Sequence, residues 1–140
     1  MSKVFFDTNL FIYLLEDYGD LSKRVEAIWR NMTARKDDLY TSTFTLAEVL
    51  VKPKGSGDIR GMNQFERMLA SAATLISFDE KAARQYAAIR QDRSIKPPDA
   101  IQLACAASVG MDLFITNDQR LSRKVVSGIH FITSLDAAYI

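Results

Sequence analysis

A chain of 140 residues, 48% hydrophobic and 25% charged, is sized for one compact domain with a single core, residues 1–140. Its net charge of +1 excludes a protein whose bulk charge draws in nucleic acid, so any polyanion must be met by local patches. The single cysteine, Cys105, excludes an internal disulfide framework and fits a reducing compartment. With no signal-like apolar region after Met1-Ser2-Lys3 and no apolar run long enough to span a bilayer, the expectation is a cytoplasmic protein with no membrane association.

Lys3 to Phe6 is predicted as a strand that runs directly into Asp7-Thr8-Asn9. Leu21, Val25, Ile28, Trp29 and Met32 then recur at the spacing of a helix with one buried face, while Lys23, Arg24, Glu26 and Arg30 fall elsewhere. A second strand is predicted at Leu39 to Thr41. Thr45-Leu46-Ala47-Glu48 scans as a capping box, and Lys52-Pro53-Lys54-Gly55-Ser56-Gly57 as a basic, flexible loop. Phe65, Met68 and Leu69 form a helical stripe ahead of a third strand, Thr74 to Ile76. Ser77-Phe78-Asp79-Glu80 scans as a capping-box start of a helix carrying Ala82, Tyr86 and Ile89. Lys96-Pro97-Pro98 breaks that helix and opens the next, whose stripe is Ile101, Ala104, Cys105 and Ser108 and which ends at Val109-Gly110-Met111. Strands at Leu113 to Thr116 and His130 to Ile132 follow. Strands alternating with helices at these intervals predict a three-layer α/β fold, a parallel sheet covered on both faces.

Asp7, Glu48, Asp99 and Asp118 each stand where a buried-looking segment meets a helix start. Each has an ordinary structural explanation as a helix cap or first-turn acid. In a parallel sheet, however, residues that follow strands gather on the carboxyl edge, and ligand sites of open α/β sheets form there, where strand order reverses. Asp79 and Asp136 reach the same edge. In the order 3-2-1-4-5 they sit on outer strands and act as caps, but strand order itself is not derivable from the residues. Carboxylates packed together need a compensating cation, and oxygen-only ligands with no histidine or cysteine nearby select Mg²⁺ or Mn²⁺ over zinc. The one histidine, His130, is expected to pack in an outer strand.

On these residues the chain resembles the PIN-domain ribonucleases, and within them the VapC-type toxins of bacterial toxin–antitoxin pairs. The resemblance covers nearly the whole chain and rests on Phe6-Asp7-Thr8-Asn9, Thr45-Leu46-Ala47-Glu48-Val49, Pro98-Asp99-Ala100-Ile101-Gln102-Leu103-Ala104 and Phe114-Ile115-Thr116-Asn117-Asp118, in the family's order and spacing. It implies a five-stranded parallel sheet in the order 3-2-1-4-5. It also implies that Asp7, Glu48, Asp99 and Asp118 are a catalytic quartet binding Mg²⁺ or Mn²⁺, with Asp7 and Asp99 as primary ligands and Glu48 and Asp118 completing the site directly or through water. Thr8, Asn9, Thr116 and Asn117 are then orienters of carboxylates or bound water, with local turn bonding the alternative for Thr8 and Thr116.

The implied activity is endoribonucleolytic, as the toxin of a type II pair, with a metal-activated water hydrolysing an RNA phosphodiester to 5′-phosphate and 3′-hydroxyl ends. The implied partners are RNA, a second copy of the chain in a homodimer, and an antitoxin whose tail lies in an apolar groove and sends an Arg or Lys to the acids. Tyr18, Trp29, Met62 and Phe65 are candidates to line that groove. Lys52, Lys54 and Arg60, then Arg93 and Lys96, then Arg120, Arg123 and Lys124 flank the acids in sequence, and Lys52 and Arg120 are the first choices for RNA contacts. A phosphatase with an aspartate nucleophile, or a receiver domain, would want a second aspartate two residues after Asp7 or an acidic pair at the first strand and a lysine after the last; Asn9 and Ile132-Thr133-Ser134 do not supply them. The remaining alternative is a catalytically idle PIN domain that binds RNA or protein.

Overall fold

The computed structural model describes residues 1–138 and 140. Among the described residues the chain runs β1 (Lys3–Phe6), α1 (Thr8–Leu15), α2 (Asp20–Arg35), β2 (Asp38–Ser42), α3 (Thr43–Gly55), α4 (Ile59–Ala72), β3 (Thr74–Ile76), α5 (Glu80–Ile89), α6 (Pro97–Val109), β4 (Met111–Thr116), a 3₁₀ turn (Leu121–Arg123) and β5 (Ile129–Ser134). The five strands form one sheet in the order β3-β2-β1-β4-β5, every pair parallel. β1 and β4 are therefore neighbours at the point where the order reverses.

Both faces of the sheet are covered, because successive strand residues point to opposite sides. Val4 and Phe6 enter the core shared with α1, α2, α3 and α4, while Phe5 enters the core shared with α5 and α6. β4 alternates in the same sense, with Ile115 on the first side and Phe114 on the second. Each such fully buried aromatic contributes about 1.5–3 kcal/mol relative to an exposed one. Helix α6 is buried on nearly all sides through Ala100, Leu103, Ala104, Cys105, Ala106 and Ala107, small residues that let it lie close against the sheet. Burial also pushes the Cys105 thiol up to about 11, so it stays an inert packing group. No helix among the described residues is long and apolar enough to cross a membrane.

Several local expectations are corrected. Lys52 to Gly55 is the last turn of α3 and not a loop. Pro53 is tolerated there because it forfeits one hydrogen bond near a helix end, its ring is buried, and its carbonyl accepts from the Asp58 N–H at 2.9 Å. The cap of α3 is Ser42, whose Oγ accepts from Thr45 N–H at 3.2 Å, so Thr45 to Glu48 is not a capping box and Glu48 lies in the second turn. Asp79 does cap α5, accepting from Ala82 N–H at 2.9 Å, so Ser77 is not the cap and Ser77 to Glu80 is not a capping box. Asp136 caps nothing, since β5 runs into a tight turn closed by Ala137 N–H to Ser134 O, which leaves no orphan helix amides to receive it. His130 lies on the outer strand but is exposed, with Nδ1 3.2 Å from Asp112 Oδ1, because alternation sends its neighbour Ile129 into the core instead.

Candidate active site

Asp7 sits one residue beyond β1, where its backbone N–H still donates to Ile115 O of the neighbouring strand at 3.0 Å. Its extended backbone makes it the N-cap of α1, with Oδ1 accepting from Thr8 N–H at 2.8 Å. The other oxygen, Oδ2, accepts from Thr116 Oγ1 at 2.8 Å. Asp7 is 8% exposed, and burial pushes its carboxyl up to about 6, against the downward pull of the Thr116 and Thr8 hydrogen bonds, with Asp99 and Glu48 raising it further.

Glu48 comes from α3 and Asp99 from the first turn of α6, and both line one depression with Asp7. Asp99 is held above its ordinary range by burial, then by the charges of Asp118 and Glu48, with Arg120 and Lys96 pulling the other way. Thr8 and Asn9 share the same walls. Asp118 stands next door, lining with Asp99 an adjoining depression. Its Oδ1 accepts from Arg120 N–H at 2.9 Å and lies 3.6 Å from Arg120 Nε. Among the described residues no three His, Cys, Asp or Glu side chains gather closely enough to cage an ion by themselves.

The supporting hydrogen bonds fall unevenly. Thr8 Oγ1 donates to Glu48 Oε1, and Thr116 Oγ1 donates to Asp7 while accepting from Asp118 N–H at 3.0 Å. Asn117, expected beside a carboxylate, instead donates to Tyr13 Oη at 2.8 Å. The alternation that turns Thr116 toward Asp7 sends Asn117 to the opposite side, where α1 presents Tyr13. Lys52 is 3.0 Å from Glu16, and that contact holds its ammonium above the ordinary lysine range. Of the groove candidates, Tyr18 and Phe65 line an apolar depression with Ile12, Leu15 and Val49 next to Glu48. Trp29 and Met62 do not line it; Trp29 follows the buried stripe of α2 and packs on the core.

Gln102 joins the site from outside the set of residues that the sequence predicts for it. It is 2% exposed, and its Nε2 donates to Thr8 Oγ1 at 2.8 Å and to Thr45 Oγ1 at 2.7 Å, while its Oε1 accepts from Ser42 Oγ. Both amide hydrogens are thereby used, and Thr8 Oγ1, accepting from Gln102, keeps its own proton to donate to Glu48 Oε1. The available signal was a glutamine inside the apolar run Ile101-Gln102-Leu103-Ala104, since a buried amide demands partners.

A model of the PIN domain family matches residues 4–126. No curated protein matches the chain. Among solved structures, the chain is similar to DNA-bound VapBC from Salmonella typhimurium, at 23% identity and a TM-score of 0.73 over 96% of this chain and 99% of that one. It is also similar to a toxin–antitoxin complex from Klebsiella pneumoniae, at 26% identity and a TM-score of 0.64 over 90% and 94%. VapBC2 from Rickettsia felis, bound to a DNA fragment from its promoter, aligns at 17% identity with a TM-score of 0.70 over 94% and 98%.

Proposed function

The chain belongs to the PIN-domain family, and we propose that within it the chain is a Mg²⁺- or Mn²⁺-dependent endoribonuclease serving as the toxin of a type II toxin–antitoxin pair. The observation that carries this reading is the meeting of Asp7, Glu48 and Asp99, from three separate elements, in one open depression at the switch point of the sheet. A carboxyl buried like Asp7, with the charges of Asp99 and Glu48 pushing its pKa up further, is short of a cation.

The donor set fits a hard divalent ion. It is made of carboxylate oxygens with hydroxyls and amides around them, and it offers no thiolate or imidazole. Magnesium is commonly held by one or two carboxylates with waters and substrate phosphates filling its remaining positions, which suits acids that approach one another without closing a cage. When bound, the ion supplies activation of water and neutralisation of the charge that builds on the phosphate. Asp7 and Asp99 are the residues that would hold it, with Glu48 and Asp118 completing the site. Thr116 and Thr8 fix the rotamers of Asp7 and Glu48, and Gln102 fixes Thr8.

The partner side of the reading rests on the VapBC and toxin–antitoxin complexes among the similar structures, and on the apolar groove of Ile12, Leu15, Tyr18, Val49 and Phe65 that ends at Glu48. An antitoxin segment laid in that groove would reach the acids. A homodimer and a cytoplasmic location belong to the same proposal. The test is incubation of the full chain with RNA in Mg²⁺, in Mn²⁺ and in EDTA, followed by mapping of the ends. Cleavage confined to the metal-containing reactions, with 5′-phosphate and 3′-hydroxyl products, is expected. A 2′,3′-cyclic phosphate would exclude the mechanism, and a chain that neither cuts nor gains stability from Mn²⁺ is an idle binding module.

A further inference from the structure

Next to the acids the carboxyl edge carries a second depression, of about 310 Å³, with Ile95 and Leu121 among its walls and Lys96, Arg120, Arg123 and Lys124 around it. The two depressions meet at Asp99. On the opposite flank the apolar groove has Lys52 as the one cation among its described lining residues, and that ammonium is tied to Glu16 at 3.0 Å. Positive charge is therefore concentrated on one side of the acids.

The four cations are not equivalent. Lys124 is anchored, with Nζ 3.0 Å from Asp92 and donating to Ser94 Oγ at 2.7 Å, and Arg120 is steadied by Asp118. Lys96 and Arg123 have no carboxylate within ion-pair distance among the described residues. Lys96 is also the N-cap of α6, at the positive end of that helix, but Pro97 and Pro98 follow it and present no amide hydrogens. An anion here must be gripped by side chains. Four cations against the two carboxylates of Asp99 and Asp118 leave this small volume net positive, which attracts a multivalent anion, and a phosphate offers acceptors to both the guanidinium and ammonium types present.

Resting on the nuclease reading above, we propose that this depression is a phosphate subsite, which holds the RNA backbone on one flank only of the bond to be cut. Lys96 and Arg123 make the binding contacts, and Arg120, paired with Asp118, lines the same depression. The apolar groove on the other flank makes no phosphate contact, so the strand is gripped asymmetrically.

Fluorescence anisotropy of a labelled single-stranded RNA, titrated with salt in EDTA, tests this on the full chain. Each lost phosphate contact lowers the slope of log K against log salt by about 0.7 for a single strand. Lys96→Gln and Arg123→Gln are each expected to lower it by about that amount, and Lys52→Gln to leave it unchanged. All three residues are exposed, so the substitutions leave the core intact. Replacing single phosphates by neutral methylphosphonates should weaken binding on one flank, and Arg123→Gln should abolish that weakening. Unchanged slopes for Lys96→Gln and Arg123→Gln, or an equal fall for Lys52→Gln, would overturn the subsite. So would RNA binding that ignores these residues while a polyglutamate peptide binds through them, which would assign the depression to an acidic protein segment. Cleavage by the wild-type chain in Mg²⁺ is scored separately. Slopes as expected without cleavage would remove the nuclease reading alone, and cleavage with unchanged slopes would remove the subsite alone.

Discussion

The two halves of the carboxyl edge are built by different physics. Around Asp7 and Glu48 the side chains are held by buried hydrogen bonds in which Thr8, Thr45, Thr116 and Gln102 are all nearly inaccessible. Beside Asp118 the side chains are held instead by the ion pairs Arg120–Asp118 and Lys124–Asp92, which are open to water in part or in full. A buried polar network is expensive to disturb and sets geometry, whereas exposed ion pairs contribute little stability and remain free to regroup around a ligand. The first half suits a fixed reaction centre and the second a surface that receives a flexible strand.

The sharpest way to break this contrast is Asp7→Asn. Loss of an outer partner of a metal ligand already costs 10–100-fold, so loss of a primary ligand should lower RNA cleavage by at least about two orders of magnitude. The same substitution should stabilise the fold at neutral pH. Asp7 titrates near 6 in the folded chain, above its ordinary 3.8, so the folded state binds the extra proton between these values and wild-type stability falls as pH rises from about 4 to about 6. That loss amounts to about 3 kcal/mol at neutral pH. Thermal melts should show Asp7→Asn ahead of wild type at pH 7 and level with it near pH 4. Added Mn²⁺ should narrow the gap at pH 7 by stabilising only the wild type. A mutant that melts below wild type at pH 7 would mean that the hydrogen bonds from Thr8 and Thr116 outweigh the desolvation of the charge.

Gln102→Leu comes next. It keeps an apolar side chain of similar length inside α6 but strands the hydroxyls of Thr8, Thr45 and Ser42, at a cost of about 1–3 kcal/mol in urea unfolding. If Gln102 positions Glu48 through Thr8, cleavage should also fall about 10–100-fold, with a higher Mn²⁺ requirement. A stability loss with an unchanged Mn²⁺ dependence would make the network purely structural. At the small end stands Arg120→Gln, which removes an exposed pair with Asp118. Its melting temperature should be nearly unchanged, since such pairs contribute about 0–1 kcal/mol, and its effect should appear in KM at low salt and fade as salt rises. An Arg120 variant that unfolds easily would erase the distinction between the halves.

The same contrast explains what could be read from the residues alone. β1 and β3 have the predicted limits, because each is a short apolar run closed by polar residues. β2, β4 and β5 extend one or two residues further at one end or both, and in β4 and β5 Met111 and Ser134 join the ladder through pairing with Ile129 and Thr116. Strand order entered through the family resemblance, because parallel strands buried on both faces carry no mark of their neighbours. Asp7 and Asp99 were legible as acids beside a strand end and a proline-started helix. Glu48 was legible as a residue but misplaced at a helix start, because Ser42 and Thr45 compete for the capping role and only Ser42 has the extended backbone for it. Gln102 shows in the sequence only as a polar residue in an apolar run, and its partners stay hidden, since Thr8 and Thr45 lie 94 and 57 residues away in the chain and no local pattern joins them.

The Phe5 and Phe114 rings stack with centroids 4.9 Å apart and planes 7° from parallel, deep in the α5 and α6 core. They are register partners, as are Phe6 and Ile115, and the residues that come next are Asp7 and Thr116. A slip of one residue between these strands would turn the stacked rings to opposite sides of the sheet and part the carboxylate from its hydroxyl donor. The rings thus work as a key between two strands. The alignment of the site is inherited from an apolar contact that no substrate or ion ever touches.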